Sequence, residues 1–373
     1  MKILIDARLY GLENTGLGRY VMNLVSGLAK EDDKNEYVIL LRRKYFGFLN
    51  LPENWKKICV DFHHYSFAEQ FKLPRIIQRE KPDIVHFPHF NVPLFYGGKY
   101  VVTVHDILMH KSIGLEATTL SPIKYFIKRL GYRLVFDSAI KKAFKIIVPS
   151  NAVKGEIINE YQLNKDKVVV TYEGFDEKIL GNKEMNIQKP YFIYIGNAYP
   201  HKNLGNLIKA IKILNTKSHQ KVTLAISGAR NIFTQRIENV VKSENAEEFV
   251  KILGFVSDEK LGKLLLDSVA FTFPSLSEGF GLPGLEAMNV GTLLLASNIP
   301  VHKEVYKENA IYFDPMNSEK IAECMERALK MSSEERERRI KEAKEFVKIY
   351  SWDKMARETL KIYESSNSVR QSQ

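Results

Sequence analysis

"PSLSEGFGLPGLEAMNVGT", residues Pro274 to Thr292, holds two glutamates, Glu278 and Glu286, eight positions apart around a run of glycines. Pro274 ends an apolar strand, "AFTF". Pro283 precedes "GLEAMNV", where a helix starts with proline in its first turn and stops near Gly291. The intervening "SLSEGFGL" is therefore a strand-to-helix loop. Gly279 and Gly281 let its backbone approach a ligand closely, and the helix start offers unpaired amides to an anion. A carboxylate repels phosphate but is the best acceptor for the paired hydroxyls of a ribose or hexose. Glu286, in the first helical turn, suits a ribose diol, and Glu278, in the loop, suits hydroxyls of a sugar beyond the phosphates. The plainer alternative is that Glu286 complements a helix dipole and Glu278 is solvated.

Working outward, the second half repeats the same grammar. "YFIYIGN", "KVTLAISG", "VKILGFV", "AFTFPS" and "TLLLAS" are short hydrophobic strands, separated by segments of helical period such as Leu204–Leu214 and Asp258–Asp267. The first half does likewise, with "KILIDA", a helix over Gly18–Lys30, then "EYVILL", "DIVHFP", "YVVTVHD" and "FKIIVPS". Continuous apolar strands between helices imply parallel sheets covered on both faces. The fold class is α/β, with two facing Rossmann-like domains and a cleft between them. Residues 1–176 form the first domain, the polar stretch 177–189 the linker and residues 190–350 the second domain. In such sheets ligands sit at the carboxyl ends of the strands.

The chain has 373 residues, more than one core usually organises. Cys59 and Cys324 have no paired spacing, so neither a disulfide framework nor a thiolate metal site is suggested, and a reducing cytoplasm fits. The N-terminus reaches Asp6 too soon for a signal-peptide core, and no apolar run approaches a membrane span. The net charge is +11, with 26 Lys and Arg against 19 Asp and Glu in residues 1–176 and 29 against 25 in the rest. Such an excess suits nucleic acid, an anionic membrane or a phosphorylated ligand. The last ten residues, "ESSNSVRQSQ", read as a frayed tail.

The Glu-x7-Glu pattern of "SEGFGLPGLEAMNVGT", between a strand ending in Pro-Ser and a helix in the C-terminal half, resembles the donor-site signature of retaining glycosyltransferases of the GT-B fold, family 4. "YIGNAYPHKNLGNLIKAI", Tyr194–Ile211, is similar to that family's strand, glycine, short loop and Lys-Asn entry into a helix. Lys202 is then a cation placed to neutralise a diphosphate as the leaving group gathers charge. The resemblance implies donor contacts from Gly196, Asn197, Gly279, Phe280, Gly281, Leu282 and Glu286. Asn197 stands where many members carry arginine, and Arg230 is the candidate to compensate. Phe255 lies where relatives flank the nucleotide base, and reads equally as a core aromatic.

In the first half, "GLENTGLGRYVMNL" places Gly16 and Gly18 before a helix, similar to the family's N-terminal glycine loop, though a plain turn and cap would give the same letters. "TVHDILMH" matches the family's His-Asp: by resemblance His105 contacts the donor sugar, and Asp106 orients His105 or the acceptor. His86 and His89 read as cleft-lining or structural histidines rather than metal ligands. In Ser121–Phe144 one helical face carries Ile123, Phe126, Ile127, Leu130 and Leu134, with Lys124, Lys128, Arg129 and Arg133 opposite. That face is either packed in the core with the basic side solvated, or a surface for anionic lipid headgroups or a lipid-diphosphate acceptor.

The resemblance implies hexose transfer, with mannose from GDP-mannose as the first expectation. The donor is a nucleotide-diphosphate sugar and the acceptor a hydroxyl of a glycan or lipid-linked acceptor in cell-surface polysaccharide synthesis. Neither a cofactor nor a metal is expected, and the last helix, near Trp352–Tyr363, crosses back to the N-terminal domain. The competing classes are an NAD-dependent oxidoreductase, which should show a complete G-x-G-x-x-G that the first loop lacks, and a non-enzymatic basic nucleic-acid or membrane-binding protein, which leaves the glutamate loop unexplained.

Overall fold

The computed structural model describes residues 1–111, 121–176, 183–217, 220–228 and 232–368. The chain divides into two compact units, Met1–Gly174 together with the chain from Tyr350 onward, and Phe175–Ile349. In the first unit the elements run β1 (Lys2–Asp6), α1 (Thr15–Glu31), β2 (Glu36–Leu41), α2 (Arg43–Phe46), β3 (Trp55–Cys59), α3 (Phe67–Glu80), β4 (Ile84–Phe87), β5 (Tyr100–Thr103), α4 (Leu108–Lys111), α5 (Pro122–Lys142), β6 (Lys145–Val148), α6 (Asn151–Tyr161) and β7 (Val168–Val170). The seven strands form one parallel sheet in the order β3-β2-β1-β4-β5-β6-β7. Strand β1 lies inside it, where Ile3 pairs with Tyr37 on one side and Ile84 on the other.

The second unit contains β8 (Tyr191–Ile195), α7 (Leu204–Lys217), β9 (Thr223–Ser227), α8 (Ile232–Ser243), β10 (Val250–Gly254), α9 (Asp258–Asp267), β11 (Phe271–Phe273), α10 (Leu282–Val290), β12 (Leu294–Ser297), α11 (Pro300–Tyr306), β13 (Ala310–Phe313), α12 (Ser318–Leu329) and α13 (Ser333–Val347). Its sheet is also parallel, ordered β10-β9-β8-β11-β12-β13. The order reverses beside β8 and β11, so the loops after these two strands open side by side at one end of the sheet.

The expected strands form because their β-branched, apolar residues are buried on both faces: every residue of β4, β5, β9 and β12 is buried. Edge strand β3 escaped the sequence reading, since Lys56 and Lys57 interrupt its apolar pattern. The last helix, α14 (Trp352–Ser368), belongs to the first unit and lies along α1. There a Cβ on Gly27 would lie 2.5 Å from that of Ala356. Arg357 bonds Glu31 at 2.8 Å, and Tyr363 reaches His86 Nδ1 at 2.5 Å. Helix α14 includes Glu364–Ser368, so the tail read as frayed from Glu364 is helical through these residues. Residues 177–182 of the expected linker and Arg230 lie outside the described residues.

Helix α5 corrects the core-packed reading of its apolar stripe. Ile123, Phe126, Ile127, Leu130 and Leu134 are 76%, 66%, 68%, 63% and 56% exposed. The face opposite the stripe is not the basic one expected: Tyr132, Phe136, Ala139 and Ile140 enter the core there, and Lys124, Lys128, Arg129 and Arg133 lie along the stripe's two borders.

Candidate active site

In the second unit the loops after β8 and β11 are joined by hydrogen bonds. Pro200–Lys202 form a 3₁₀ turn ended by Asn203 in the left-handed region (φ 58°). From there Asn203 Nδ2 donates to Pro274 O at 3.1 Å and Pro315 O at 2.7 Å, and Leu276 N donates to His201 O at 2.8 Å. This stitching delivers Lys202 to the glutamate loop, where its Nζ donates to Glu278 Oε1 at 2.6 Å and lies 5.6 Å from the Phe273 ring centroid. Both side chains are largely withdrawn from water, 14% and 11% exposed. Burial disfavours the Glu278 carboxylate, yet the Lys202 ammonium beside it prevails and holds the carboxyl below its usual range. Glu278 is thus an ionised acceptor and Lys202 a positioned cation.

The loop's shape depends on Gly281, which caps α10 at φ 97°. A Cβ there would lie 2.2 Å from the Tyr306 hydroxyl, which donates to Gly281 O at 2.5 Å. Helix α10 starts and stops as its sequence suggests: Pro283 sits in the first turn, and Gly291, at φ 103°, donates to Ala287 O and Met288 O. Glu286 is the helix's fifth residue, past its first turn, and is buried. Phe280 is buried and Leu282 and Gly279 are half-buried, so Phe280 supports the loop from below. Gly196 ends β8, and the Tyr194 hydroxyl donates to Asn197 O at 2.7 Å, fixing the bend. Phe255 is 82% exposed, which overturns the core-aromatic reading and leaves its face available to solvent.

His302 carried no sequence signal. It is fully buried and stacks on Phe273 at 4.8 Å, with Nδ1 3.1 Å from Ser297 O. The carbonyl requires a protonated Nδ1, and burial lowers the ring's pKa to about 4, so the imidazole is neutral. Among the described residues its Nε2 lone pair has no hydrogen-bond partner.

In the first unit the expected residues stand at the carboxyl end of β5. His105 Nδ1 lies 3.0 Å from Glu173 Oε1, and Nε2 lies 3.0 Å from Pro88 O. Two acceptors on one ring demand two N–H groups, hence an imidazolium. Burial opposes that charge, but the hydrogen bond and charge of Glu173 outweigh it and raise the His105 pKa. Tyr20 of α1 meets the ring edge-on at 4.7 Å. Glu173, unsuspected in the sequence, therefore orients His105, whereas Asp106 Oδ1 accepts Leu108 N at 2.9 Å and caps α4.

Gly16 and Gly18 lie within the first turn of α1, not in a loop before it. A Cβ on Gly18 would meet Gly11 O at 1.9 Å, while one on Gly16 would meet open space. His86 is structural: burial lowers its pKa to about 3, and its nitrogens face Tyr363 and Thr103 at 2.5 and 2.8 Å. Burial lowers His89 similarly, to about 3. Among the described residues no group of three His, Cys, Asp or Glu side chains forms a ligand set.

At the end of β1 the sequence reading missed a buried network. Arg8 donates from Nε and Nη2 to Asp6 at 2.7 and 2.6 Å, and from Nη2 to Glu69 at 2.7 Å. Glu69 also accepts from Tyr65 N at 2.8 Å and Asn91 Nδ2 at 2.5 Å. Burial works against both carboxylates, but at Asp6 Arg8 with His64, and at Glu69 His64 with Arg8, more than reverse this and lower both pKa values.

Two family models match the chain in series: Glycosyltransferase Family 4 over residues 14–178 and Glycosyl transferases group 1 over residues 176–346. The chain belongs to the family 4 glycosyltransferases of the GT-B fold. Among curated relatives, this glycosyltransferase is 27% identical to O-antigen chain mannosyltransferase RfbU of Salmonella typhimurium, over 84% of this chain and 87% of that one. It is 26% identical to O-antigen chain mannosyltransferase B of Escherichia coli, over 97% and 99%. Among solved structures, HepE of Anabaena in complex with UDP-glucose superposes with a TM-score of 0.74 at 16% identity, covering 98% of this chain and all of that one. That likeness bears on the fold alone. The oxidoreductase and non-enzymatic readings fall with the family assignment, since both of the enzyme's halves match glycosyltransferase models.

Proposed function

We propose that this glycosyltransferase moves mannose from GDP-mannose, with retention of anomeric configuration, to a hydroxyl of a glycan or lipid-linked acceptor in cell-surface polysaccharide synthesis. The observation that carries the reading is the buried Lys202–Glu278 pair, at 2.6 Å, inside the Glu-x7-Glu loop. The choice of mannose is supported by two relatives named as O-antigen mannosyltransferases. Without substrate, the pair compensates each other's charge, which a low-dielectric site requires. On donor binding the diphosphate takes the place of the carboxylate beside Lys202, and Glu278 turns its acceptor oxygens to hexose hydroxyls. Lys202 and the amides at the start of α10 then stabilise charge on the departing diphosphate. No bound metal is needed for this step, and activity should survive EDTA. Glu286, further along α10, accepts the ribose diol. His105, held as an imidazolium by Glu173, is the cation we assign to the donor sugar. The enzyme works at the cytoplasmic face of the membrane as a peripheral protein; no helix among the described residues is long and apolar enough to cross it.

A thermal-shift panel of GDP-, UDP- and dTDP-sugars tests the donor, because a ligand selective for the folded state raises the melting temperature. GDP-mannose should give the largest shift, and proton NMR of the product should show an α-linked mannose. A larger shift with another nucleotide sugar, or an inverted product, would overturn the corresponding part of the proposal.

A further inference from the structure

Helix α5 has two apolar faces. Tyr132, Phe136, Ala139 and Ile140 are buried in the core of the first unit. On the other side Ile123, Phe126, Ile127, Leu130 and Leu134, at positions that recur every three or four residues, form a stripe along about three turns with each residue more than half exposed. Water does not tolerate such a stripe without cost, and contiguous exposed apolar surface marks an interaction site.

The stripe's borders identify its partner. Lys124 and Lys128 each follow a stripe residue, and Arg129 and Arg133 each precede one, so cations line both edges. The helix carries six Lys and Arg against one acid, Asp137, whose Oδ1 accepts the Tyr161 hydroxyl at 2.6 Å. Lys124, Lys128 and Arg133 are exposed, while Arg129 is half-buried and donates to the Tyr125 hydroxyl at 3.1 Å. Met109 of α4, 49% exposed, lies next to His110, whose carbonyl accepts from Arg129 at 3.5 Å. An apolar stripe flanked on both sides by long cationic side chains matches the boundary between acyl chains and anionic headgroups, where Lys and Arg bury their stems and keep their charges wet.

We infer that α5 is an interfacial anchor: Phe126, Ile127, Leu130 and their neighbours enter the acyl boundary of an anionic bilayer while the flanking cations meet its headgroups. The inference rests on the proposed peripheral action at a lipid-linked acceptor, giving that action a surface, and it extends the basic residues singled out in the sequence to the apolar stripe between them. It would keep the first unit at the membrane, where a lipid-linked acceptor is held.

The test floats the full-length chain with vesicles of phosphatidylcholine alone or mixed with phosphatidylglycerol. Wild type should float with the anionic vesicles and not with the neutral ones, and added salt should weaken binding. Phe126→Ser with Leu130→Ser should lower partitioning on the order of 100-fold, from the transfer free energy of two large apolar side chains. Lys124→Glu with Lys128→Glu should lower it on anionic vesicles only. Both substituted pairs are exposed, so melting temperature and its rise with GDP-mannose should match wild type. Retained donor binding with lost flotation separates this inference from the donor reading: failure of the GDP-mannose shift in wild type would count against the latter alone. Wild type that does not float, or a Phe126/Leu130 variant that floats like wild type, overturns the inference. So does a variant whose change is confined to a shift from dimer to monomer in gel filtration without lipid, which would make the stripe a contact between copies.

Discussion

Replacing Lys202 by Met, a residue of similar length, leaves Glu278 buried without its counter-charge. The carboxylate side chain is 11% exposed and its ammonium partner stands at 2.6 Å. Breaking a buried pair from one side costs about 3–5 kcal/mol. The lower end applies here, because a residual exposure of this size admits some solvent. For a unit of this size about 3 kcal/mol corresponds to a fall in melting temperature of roughly 6–12 °C. The pH dependence gives the signature. In wild type the Glu278 pKa is depressed, so its contribution is present above the unfolded carboxyl pKa and disappears as pH falls through the folded value. In Lys202→Met burial is opposed only by His302 and Ser275, the folded pKa should rise above the unfolded one, and stability is lost as pH rises instead. The gap between the two proteins should therefore be wide at pH 8 and narrow toward pH 4.5. Lys202→Met with Glu278→Gln removes both charges and should recover most of the melting temperature. Neither the single nor the double variant should recover turnover, with kcat down about 10²- to 10³-fold, the typical loss for one preorganised charge-stabilising group. Thermal unfolding of the full chain across pH, paired with donor-turnover kinetics, reads both effects. A single variant with wild-type melting and a flat pH difference would show that the pair is not electrostatically buried, and unchanged kcat would remove Lys202 from the mechanism.

Gly281→Ala should lower the melting temperature and abolish the GDP-mannose shift, since the new methyl meets the Tyr306 hydroxyl at 2.2 Å in a left-handed backbone, a strain of about 1–3 kcal/mol before any collision is relieved. Glu173→Gln removes the charge that raises the His105 pKa. That stabilisation is fully present below the unfolded histidine value of about 6.5 and fades as pH rises through the folded one, so denaturant unfolding should separate the variant from wild type most at pH 5.5 and least at pH 9. Asp106, His86 and His89 also act on this ring, so Asp106→Asn should show a smaller effect of the same sign. Initial rates should distinguish the two loop glutamates: Glu286→Ala raises KM for the donor, whereas Glu278→Ala mainly lowers kcat.

The parts of the enzyme legible in sequence were those decided by neighbours in the chain. Buried parallel strands such as "YVVT" and "LLAS" announce themselves because both faces are apolar. Gly281, Pro283 and Gly291 punctuate α10 as their backbone preferences require. Edge strand β3 gave no such signal, because Lys56 and Lys57 replace apolar residues where the sheet ends. Periodicity found the stripe on α5 but could not tell which of two apolar faces the core would take. The aromatic pair Tyr132 and Phe136 fills it, and the stripe of Ile123, Phe126, Ile127, Leu130 and Leu134 is left outside.

What remained hidden was long-range charge pairing. Lys202 and Glu278 are 76 positions apart, His105 and Glu173 are 68 apart, and Arg8 and Glu69 are 61 apart. In each case an ionised group stands just beyond a strand's carboxyl end, and its partner arrives on a different element. The placement has a physical reason. Loops at that edge of a parallel sheet must expose charge to a polar ligand, yet a charge half-withdrawn from water destabilises the empty site unless it is matched. The match at Arg8 is the most enclosed, with guanidinium and both carboxylates at most 5% exposed, so it serves as fixed scaffolding for the loops after β1 and β4. The match at Lys202 is more open, with a single bond between the two side chains, and in the proposed reaction an arriving diphosphate displaces the carboxylate there. Sequence reading proposed Lys202 and Glu278 separately, as a phosphate cation and a sugar acceptor. In the proposed reaction their contact makes these a single exchange, in which the cation's move to the diphosphate releases the acceptor for the sugar.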